Sequence, residues 1–165
     1  MYKGQTVSLT LIHNGFAEIQ FDNQGESVNK FNQQTLADLR QAVDTLKAQS
    51  GIRGLLLSSA KPVFVVGADI TEFKAMFTAT KEDFIAGAQT ANGLFSEIED
   101  LPYPSVAAIN GFALGGGFEI CLACDSRVIS SKAAVGLPET GLGILPGWGG
   151  TVRLPRLVGY STAVH

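Results

Sequence analysis

The sequence predicts an α/β fold in which most strands pair in parallel. Short apolar runs, such as the one at 54–57, alternate with longer segments whose apolar residues recur every three or four positions. Short apolar runs are typical of strands buried on both faces, and the longer periodic segments are typical of helices. The alternation of such strands with helices is typical of parallel sheets. A length of 165 residues fits one domain, residues 1–165, that is large enough to bury a core of its own.

The first half of the chain is predicted to begin with a β-hairpin. Apolar and polar residues alternate on both sides of Asn14-Gly15, a dipeptide typical of a two-residue type I′ turn. The elements predicted for this half are, in order, the hairpin over 6–22, a helix over 33–49, strands at 54–57 and 63–66, and a helix that opens at Gly67–Ile70 and contains Phe73, Met76 and Phe77.

The second half is predicted to begin with a capped helix. Thr80 and Asp83 have the spacing of a capping box in which Asp replaces the usual Glu, and Leu101-Pro102 ends the helix that follows. Ser161 is placed to cap a further helix, so we expect the domain to continue beyond this sequence. The other elements predicted here are a strand at 105–109, a glycine-rich turn and short helix over 112–124, strands at 127–130 and 133–136, and a helix over 150–158.

Composition argues against several classes of protein. Twelve Lys and Arg residues against 15 Asp and Glu residues give a net charge of −3, which argues against a nucleic-acid-binding protein. No apolar run reaches the length of a membrane span, and the N-terminal residues lack the apolar block of a signal peptide, so we expect a cytoplasmic protein. Charged residues make up only 16% of the chain, which predicts that a partner or another domain covers part of the surface.

Metal and nucleotide sites are not predicted. The only histidines, His13 and His165, lie far from Cys121 and Cys124 in sequence, and a structural zinc site needs four ligands. The two cysteines lie in an apolar helical segment, where we expect them to act as small core residues. The glycine-rich segment 147–150 has the spacing of neither the dinucleotide-binding fingerprint nor the P-loop.

Glycines precede Glu119 at the junction of a predicted strand and helix. Gly115, Gly116 and Gly117 would let a ligand oxygen approach the backbone, and the first N–H groups of a helix have no intrahelical partners. Such a turn can bind an anion, or an oxygen that becomes anionic during a reaction, and Glu119 would project near it. The alternative is a tight turn in which Glu119 is a surface acid that compensates the helix dipole.

Two further segments carry candidate groups. Glu139 follows a strand and Pro138 in apolar surroundings without a nearby basic residue, so desolvation is expected to raise its pKa and suit it to proton transfer. Gly67, Ala68 and Asp69 join another strand to a helix, and their N–H groups could complete an oxyanion hole, in which two backbone donors bind one carbonyl oxygen. The alternatives are an ordinary loop glutamate at 139 and a turn in which Asp69 caps the next helix.

Several segments resemble the enoyl-CoA hydratase/isomerase (crotonase) superfamily. The resemblance is carried by FVVGADI at 64–70, AAINGFALGGGFE at 107–119 and GLPETGLGILPGWGGTVRLPRLVG at 136–159. Two more segments, GESVNKFN at 25–32 and EDLPYPSVAAING at 99–111, resemble the N-terminal hydratase parts of the multifunctional α-subunits of bacterial fatty-acid oxidation complexes.

The resemblance implies a fold and a site. The superfamily fold is a spiral of repeated ββα units. The backbone N–H groups of Ala68 and Gly116 are implied to bind the thioester oxygen of an acyl-CoA, while Glu119 and Glu139 flank a water molecule beside its double bond. The residues implied to bind substrate, including the CoA arm, are Ala68, Asp69, Ile70, Thr71 and Gly116.

The resemblance also implies a reaction and partners. Glutamate at both acidic positions favours hydration of trans-2-enoyl-CoA to 3-hydroxyacyl-CoA in fatty-acid β-oxidation. A 3-enoyl-CoA to 2-enoyl-CoA isomerase and a non-catalytic assembly fragment remain alternatives. No cofactor is expected apart from the acyl-CoA substrate, and NAD would be used only if a dehydrogenase domain follows. The expected partners are further copies of the chain or a thiolase β-subunit, in the bacterial cytoplasm.

Overall fold

Residues 1–72 and 79–164 are described by the computed structural model. The predicted helical residues Phe73, Met76 and Phe77 lie outside this part of the chain. The strands are β1 (Tyr2–Lys3), β2 (Val7–Leu11), β3 (Phe16–Phe21), β4 (Gly54–Ser59), β5 (Ser105–Ile109), β6 (Ala113–Leu114), β7 (Ser126–Ile129) and β8 (Val135–Gly136). The α-helices are α1 (Gln33–Lys47), α2 (Lys81–Glu99), α3 (Gly116–Ala123), α4 (Gly150–Val158) and α5 (Tyr160–Ala163), and 3-10 helices lie at His13–Gly15 and Pro138–Leu142.

Six strands form one sheet in the order β1-β2-β3-β4-β5-β7. The pairs β1–β2 and β2–β3 are antiparallel, whereas β3–β4, β4–β5 and β5–β7 are parallel. A helix lies between the two strands of each parallel pair in sequence, because parallel neighbours need a crossover connection. The predicted α/β class with mostly parallel pairing is confirmed.

A second set of parallel pairs joins the segments that follow the strands of the large sheet. β6 pairs with β8, and single bridges join Phe31 to Ala68 and Val65 to Ala113. Each turn of the chain therefore contributes a strand to the large sheet, a segment to the second set, and then a helix. The successive turns that end in α1, α2, α3 and α4 make a spiral of ββα units.

The hairpin has the predicted strands but a longer turn. β2 and β3 pair with Leu9 opposite Ile19, and the turn contains His13 as well as Asn14 and Gly15. Asn14 and Gly15 do adopt the expected positive φ angles, 62° and 80°. A two-residue turn at these positions would shift the register by one residue and place apolar side chains opposite polar ones. Burial of one sheet face therefore decides the length of the turn.

Two other predictions are wrong in detail. The segment 63–66 is not a regular strand, because only Val65 forms a bridge and the neighbouring N–H groups donate to carbonyls of separate loops. Ser161 does not cap a helix: α5 begins at Tyr160 and its N-cap is Gly159, with a φ of 83°. Residues 67–70, where a further helix was predicted to open, are not helical, and the rest of that predicted helix lies outside the described residues. The remaining predicted elements are confirmed, with ends that differ by a few residues.

Helix α2 begins with the predicted capping box. The Thr80 hydroxyl accepts a hydrogen bond from the Asp83 N–H (3.1 Å), and the Asp83 carboxylate accepts one from the Thr80 N–H (3.3 Å). The first half of α2 is largely exposed, whereas Ala91, Phe95 and other residues of its second half are buried. Only the second half of this helix therefore contributes to the core.

Aromatic side chains join the sheet, α2 and the segment before α4. The Phe31 ring packs edge-on against Phe21 and Trp148, with ring centroids 5.8 and 5.5 Å apart. Phe95 contacts both Phe31 and Trp148, at 5.7 and 5.8 Å. Burial of such side chains contributes roughly 1.5–3 kcal/mol each, so the cluster anchors Trp148 to the core.

The two cysteines are buried in and beside α3, as predicted. The Cys121 thiol lies 3.1 Å from the carbonyl oxygen of Gly117, and burial raises the pKa of Cys124 to about 12. Within residues 1–72 and 79–164, no three His, Cys, Asp or Glu side chains are grouped as ligands for a metal ion. In the same part of the chain, every helix is too short or too polar to cross a bilayer.

Gly117 and Gly87 provide a matched test of the helix packing. A Cβ atom on Gly117, in α3, would collide with the carbonyl group of Val65, whereas one on Gly87, in α2, would meet no atom within 4 Å. We expect Gly117→Ala to lower the free energy of unfolding by about 1–3 kcal/mol, because the core is overpacked. Gly87→Ala should raise it by about 0.5–1 kcal/mol. Urea denaturation measures both changes, and equal effects at the two glycines would contradict the packing of α3 on Val65.

Candidate active site

The glycine turn after β6 leaves a helical N–H group free. Gly115 has a φ of 53°, a left-handed conformation that favours glycine, and its N–H donates to the carbonyl of Gly136 (2.9 Å). Gly116 is the first residue of α3, so its own N–H has no intrahelical partner. A Cβ atom on Gly116 would be forced into the ring of Trp148. The position therefore requires glycine.

Ala68 presents a second free N–H group close to this turn. The N–H of Phe31 donates to the carbonyl of Gly67, and the N–H of Asp69 donates to the carbonyl of Phe31, both at 2.8 Å. In this parallel pairing the residue between them, Ala68, directs its own N–H to the opposite side. The Cα atom of Gly67 lies 3.7 Å from the position of a Cβ atom on Gly115, so the two turns are adjacent. Among the described residues, no backbone carbonyl accepts from the Ala68 or Gly116 N–H.

Glu119 is buried one helical turn after Gly116. Glu119 is only 2% exposed. The carboxylate oxygen Oε1 accepts hydrogen bonds from the backbone N–H groups of Trp148 (2.9 Å) and Gly150 (2.8 Å). Charge-assisted bonds of this kind hold the carboxylate in one orientation. The segment 147–150 was not among the predicted site residues, although a glycine-rich turn before a helix is a signal for free N–H donors.

Glu139 lies against the same glycine turn. It is carried by the 3-10 helix Pro138–Leu142, is 8% exposed, and has its Oε1 atom 2.9 Å from the position of a Cβ atom on Gly115. Its Oε2 atom is buried and has no hydrogen-bond partner among the described residues. The charge of Glu139 also raises the pKa of Glu119, so the two carboxyl groups are close enough to interact. The structure therefore brings both predicted acids and both predicted N–H donors together.

The two carboxyl groups have different electrostatic surroundings. Burial raises the pKa of Glu119, but the hydrogen bonds from the Gly150 and Trp148 N–H groups lower it. Burial also raises the pKa of Glu139, whose Oε2 atom gains no comparable bond. On balance the pKa of each carboxyl group is raised, and Glu119 alone accepts hydrogen bonds from the N–H groups of the 147–150 turn that favour its ionised form. Such a pair can take up a proton at one site and release one at the other.

The loop after Ala68 is organised by Asp69. Its carboxylate accepts hydrogen bonds from the hydroxyl (2.7 Å) and N–H (3.0 Å) of Thr71 and forms an ion pair with Lys30 (3.0 Å). The Thr71 bonds and the Lys30 charge lower the pKa of Asp69. This geometry agrees with the alternative in which Asp69 stabilises the turn. Ile70 is 62% exposed beside it, and contact of Asp69, Ile70 and Thr71 with a CoA arm stays a prediction.

Comparison with known proteins identifies the family. The profile of the enoyl-CoA hydratase/isomerase family matches residues 11–165. The chain belongs to the enoyl-CoA hydratase/isomerase family. It is 54% identical over all 165 residues to the fatty acid oxidation complex subunit alpha of Pseudomonas entomophila, and 55% identical to that of Pseudomonas paraeruginosa. The chain spans 23% of the length of each of these relatives.

Solved structures of enoyl-CoA hydratases share the fold of this family member. The enoyl-CoA hydratase of Bacillus anthracis aligns with 96% of this chain and 60% of its own, with a TM-score of 0.86 and 34% identity. The enoyl-CoA hydratase of Thermoplasma volcanium aligns with 97% of this chain and 62% of its own, with a TM-score of 0.86 and 26% identity. The spiral of ββα units is thus the crotonase fold that the resemblance implied.

The buried carboxyl group of Glu139 gives a pH-dependent stability. Because burial raises the pKa of Glu139 in the folded protein above its ordinary value of 4.5, the folded chain holds this proton more tightly than the unfolded chain. The resulting stabilisation is present below about pH 4.5 and is lost as pH rises through the folded pKa. We therefore expect Glu139→Gln to raise the free energy of unfolding by about 0.5–2 kcal/mol at pH 8 and to change it little at pH 4.

Chemical denaturation at the two pH values measures this difference. Glu82→Gln is the matched control, because Glu82 is exposed in the first turn of α2 and should change stability little at either pH. A Glu139→Gln variant that is no more stable than the parent protein at pH 8 would show that its charge is compensated in the folded state.

Proposed function

We propose that this chain hydrates trans-2-enoyl-CoA to 3-hydroxyacyl-CoA in fatty-acid β-oxidation. The observation that carries the proposal is the meeting of two buried acids, Glu119 and Glu139, beside the free N–H groups of Ala68 and Gly116. The proposal is supported by membership of the enoyl-CoA hydratase/isomerase family. It is also supported by the identity of 54–55% to proteins named fatty acid oxidation complex subunit alpha.

The first requirement of the reaction is a sink for negative charge. The β-carbon of a 2-enoyl thioester is a poor electrophile unless charge can move onto the carbonyl oxygen as water adds. The N–H groups of Ala68 and Gly116 are the proposed oxyanion hole for this oxygen. Each such donor typically lowers the barrier by about 3 kcal/mol, because it is oriented before the charge develops.

The second requirement is a pair of proton-transfer groups. Ionised Glu119 takes a proton from the water molecule, and the resulting hydroxide oxygen bonds to the β-carbon. Protonated Glu139 delivers a proton to the α-carbon as the enolate collapses, and the proton held by Glu119 restores Glu139 before the next cycle. One water molecule is consumed and no electrons are transferred, so the proposed route invokes no metal or redox cofactor. General acid–base catalysis of this kind contributes typically about 10²–10⁴-fold.

Isomerisation of 3-enoyl-CoA to 2-enoyl-CoA is the second candidate. This reaction moves a proton between two carbon atoms and needs one base beside the same oxyanion hole. The Glu139 carboxyl group favours it, because its Oε2 atom is bonded to none of the described protein groups and would be available for such a shuttle.

The proposed partners follow from the same relatives. We infer an acyl-CoA thioester as substrate, and assembly with a thiolase subunit or with further copies of the chain, in the bacterial cytoplasm. NAD would be used only if a dehydrogenase domain follows this one. The names of the relatives, which are parts of a fatty acid oxidation complex, support assembly. Large exposed apolar side chains such as Leu145 and Tyr160 are consistent with a covered surface.

Substitution of each acid tests the reaction. We expect Glu119→Gln and Glu139→Gln each to lower kcat/KM for hydration by at least about 10²-fold, because each removes a proton-transfer group. Hydration and isomerisation of CoA thioesters are assayed side by side with the intact protein. Hydration that is unchanged in Glu139→Gln would contradict the role of Glu139 in hydration. Isomerisation without hydration by the intact protein would assign the chain to the second candidate. Glu82→Gln is the control and should retain the parent activity.

Binding of substrate separates an enzyme from an assembly module. Titration of the intact protein with a saturated acyl-CoA, followed by calorimetry, should detect binding that is retained by Glu119→Gln, because the oxyanion-hole donors are backbone groups. A protein that binds no acyl-CoA would contradict the proposed substrate class and favour a non-catalytic assembly role.

A further inference from the structure

The turn that holds Glu119 depends on groups outside the site. Trp148 and Gly150 donate their N–H groups to Glu119 Oε1, so the orientation of the carboxylate depends on the position of the turn 147–150. Gly149, between the two donors, has a φ of 101°. Two side chains donate hydrogen bonds to the carbonyl groups of this turn.

The first of these side chains is Asn92 of α2. Its Nδ2 atom donates a hydrogen bond to the carbonyl oxygen of Gly147 at 2.6 Å. The same amide nitrogen lies 3.2 Å from the carbonyl oxygen of Ala88, one turn earlier in the helix. Asn92 is thereby held in one orientation by its own helix while it binds a carbonyl 55 residues away in sequence.

The second side chain is Arg153 of α4. Its Nη1 atom donates to the carbonyl oxygen of Trp148 at 3.2 Å. The rest of the guanidinium group is bound to α2: Nη2 donates to the Ser96 hydroxyl (3.1 Å) and to the Glu99 carboxylate (2.7 Å), and Nε donates to the same carboxylate (2.9 Å). A planar guanidinium with this many bonds is a rigid clamp between α2 and the turn.

We propose that Asn92 and Arg153 are positioning residues that orient the Glu119 carboxylate by holding the carbonyl groups of Gly147 and Trp148. The inference rests on the proposed function only for its effect on rate, because the orientation of Glu119 can be measured without a reaction. Asn92 acts on the turn from α2 and Arg153 from α4, and neither contacts Glu119 directly through a hydrogen bond among the described residues.

The charge of Arg153 also affects the pKa of Glu119. Two charged groups act on the Glu119 carboxyl within the described part of the chain: Arg153 lowers its pKa and Glu139 raises it. Glu99 is paired with Arg153 and weakens the effect of the guanidinium. Loss of Arg153 therefore removes both the clamp and the only favourable charge among these groups, and the pKa of Glu119 should rise.

The test compares pairs of variants in the intact protein. With 2-enoyl-CoA as substrate, we expect Arg153→Met and Asn92→Ala to lower kcat by roughly 10–100-fold with little change in KM, because misplacement of a catalytic group by about 1 Å has effects of this size. Since ionised Glu119 is the proposed base, a raised pKa moves the acid limb of the kcat/KM profile to higher pH, most clearly in Arg153→Met. Arg153→Lys keeps the charge and should restore part of the rate and the position of the limb. Arg156→Met, an exposed change on the same helix, is the control and should match the parent protein.

A measurement independent of activity completes the test. In protein labelled with ¹³C at the glutamate carboxyl groups, the Glu119 signal is assigned by its absence from Glu119→Gln and titrated by NMR. Its pKa should be higher in Arg153→Met and in Asn92→Ala than in Arg156→Met. An unchanged Glu119 titration in folded Arg153→Met and Asn92→Ala variants would overturn the positioning role. A shifted titration in a protein without hydratase activity would support that role and contradict the proposed function instead.

Discussion

The Glu119 carboxylate, held by two backbone N–H groups, is the interaction on which the arrangement of the site depends. A carboxylate that is 2% exposed would be unfavourable without partners, because burial removes its hydration. The Trp148 and Gly150 N–H groups replace part of that hydration and fix the position of Oε1. Packing of Trp148 on Phe31 and Phe95 keeps these donors in place. Core packing and the orientation of a reactive group are therefore coupled in this fold.

The spiral explains how residues twenty positions apart meet. β6 pairs with β8 so that Leu114 lies opposite Gly136, and the chain leaves both strands at the same edge. Glu119 follows the first strand at the start of a helix, and Glu139 follows the second in a short 3-10 helix. Because the carboxyl ends of parallel strands face the same direction, both acids reach one side of the sheet. Ala68 joins them there because its own turn pairs with Phe31 and lies against Gly115.

Local patterns in the sequence predicted most elements, and the site residues followed from their positions at strand ends. The capping box at Thr80 depends on near neighbours, which a sequence displays directly, whereas the register of Leu9 with Ile19 differs from the one that a two-residue turn at Asn14-Gly15 would give. The partners of Glu119 could not be predicted in this way. They are backbone N–H groups 29 and 31 residues away, and although the glycine-rich turn 147–150 indicates free N–H donors, its sequence does not indicate which acceptor they bind. The prediction of a strand at 63–66 is wrong for a related reason. Its N–H groups donate singly to the carbonyl groups of separate loops and not to one neighbouring strand.

Each of the three glycines in the turn before Glu119 is required for a different physical reason, and together these reasons explain why the site can form. Gly115 adopts a left-handed φ with the Glu139 carboxyl group against it, Gly116 faces the ring of Trp148, and Gly117 faces the carbonyl group of Val65. A side chain at any of the three would push a different neighbour away. Because none of the three glycines has a Cβ atom, the start of α3 can lie against Glu139, Trp148 and Val65 at the same time. The same close approach buries both carboxyl groups and so raises their pKa values. Burial is common to the two acids, and the two hydrogen bonds from the 147–150 turn favour the ionised form of Glu119 alone.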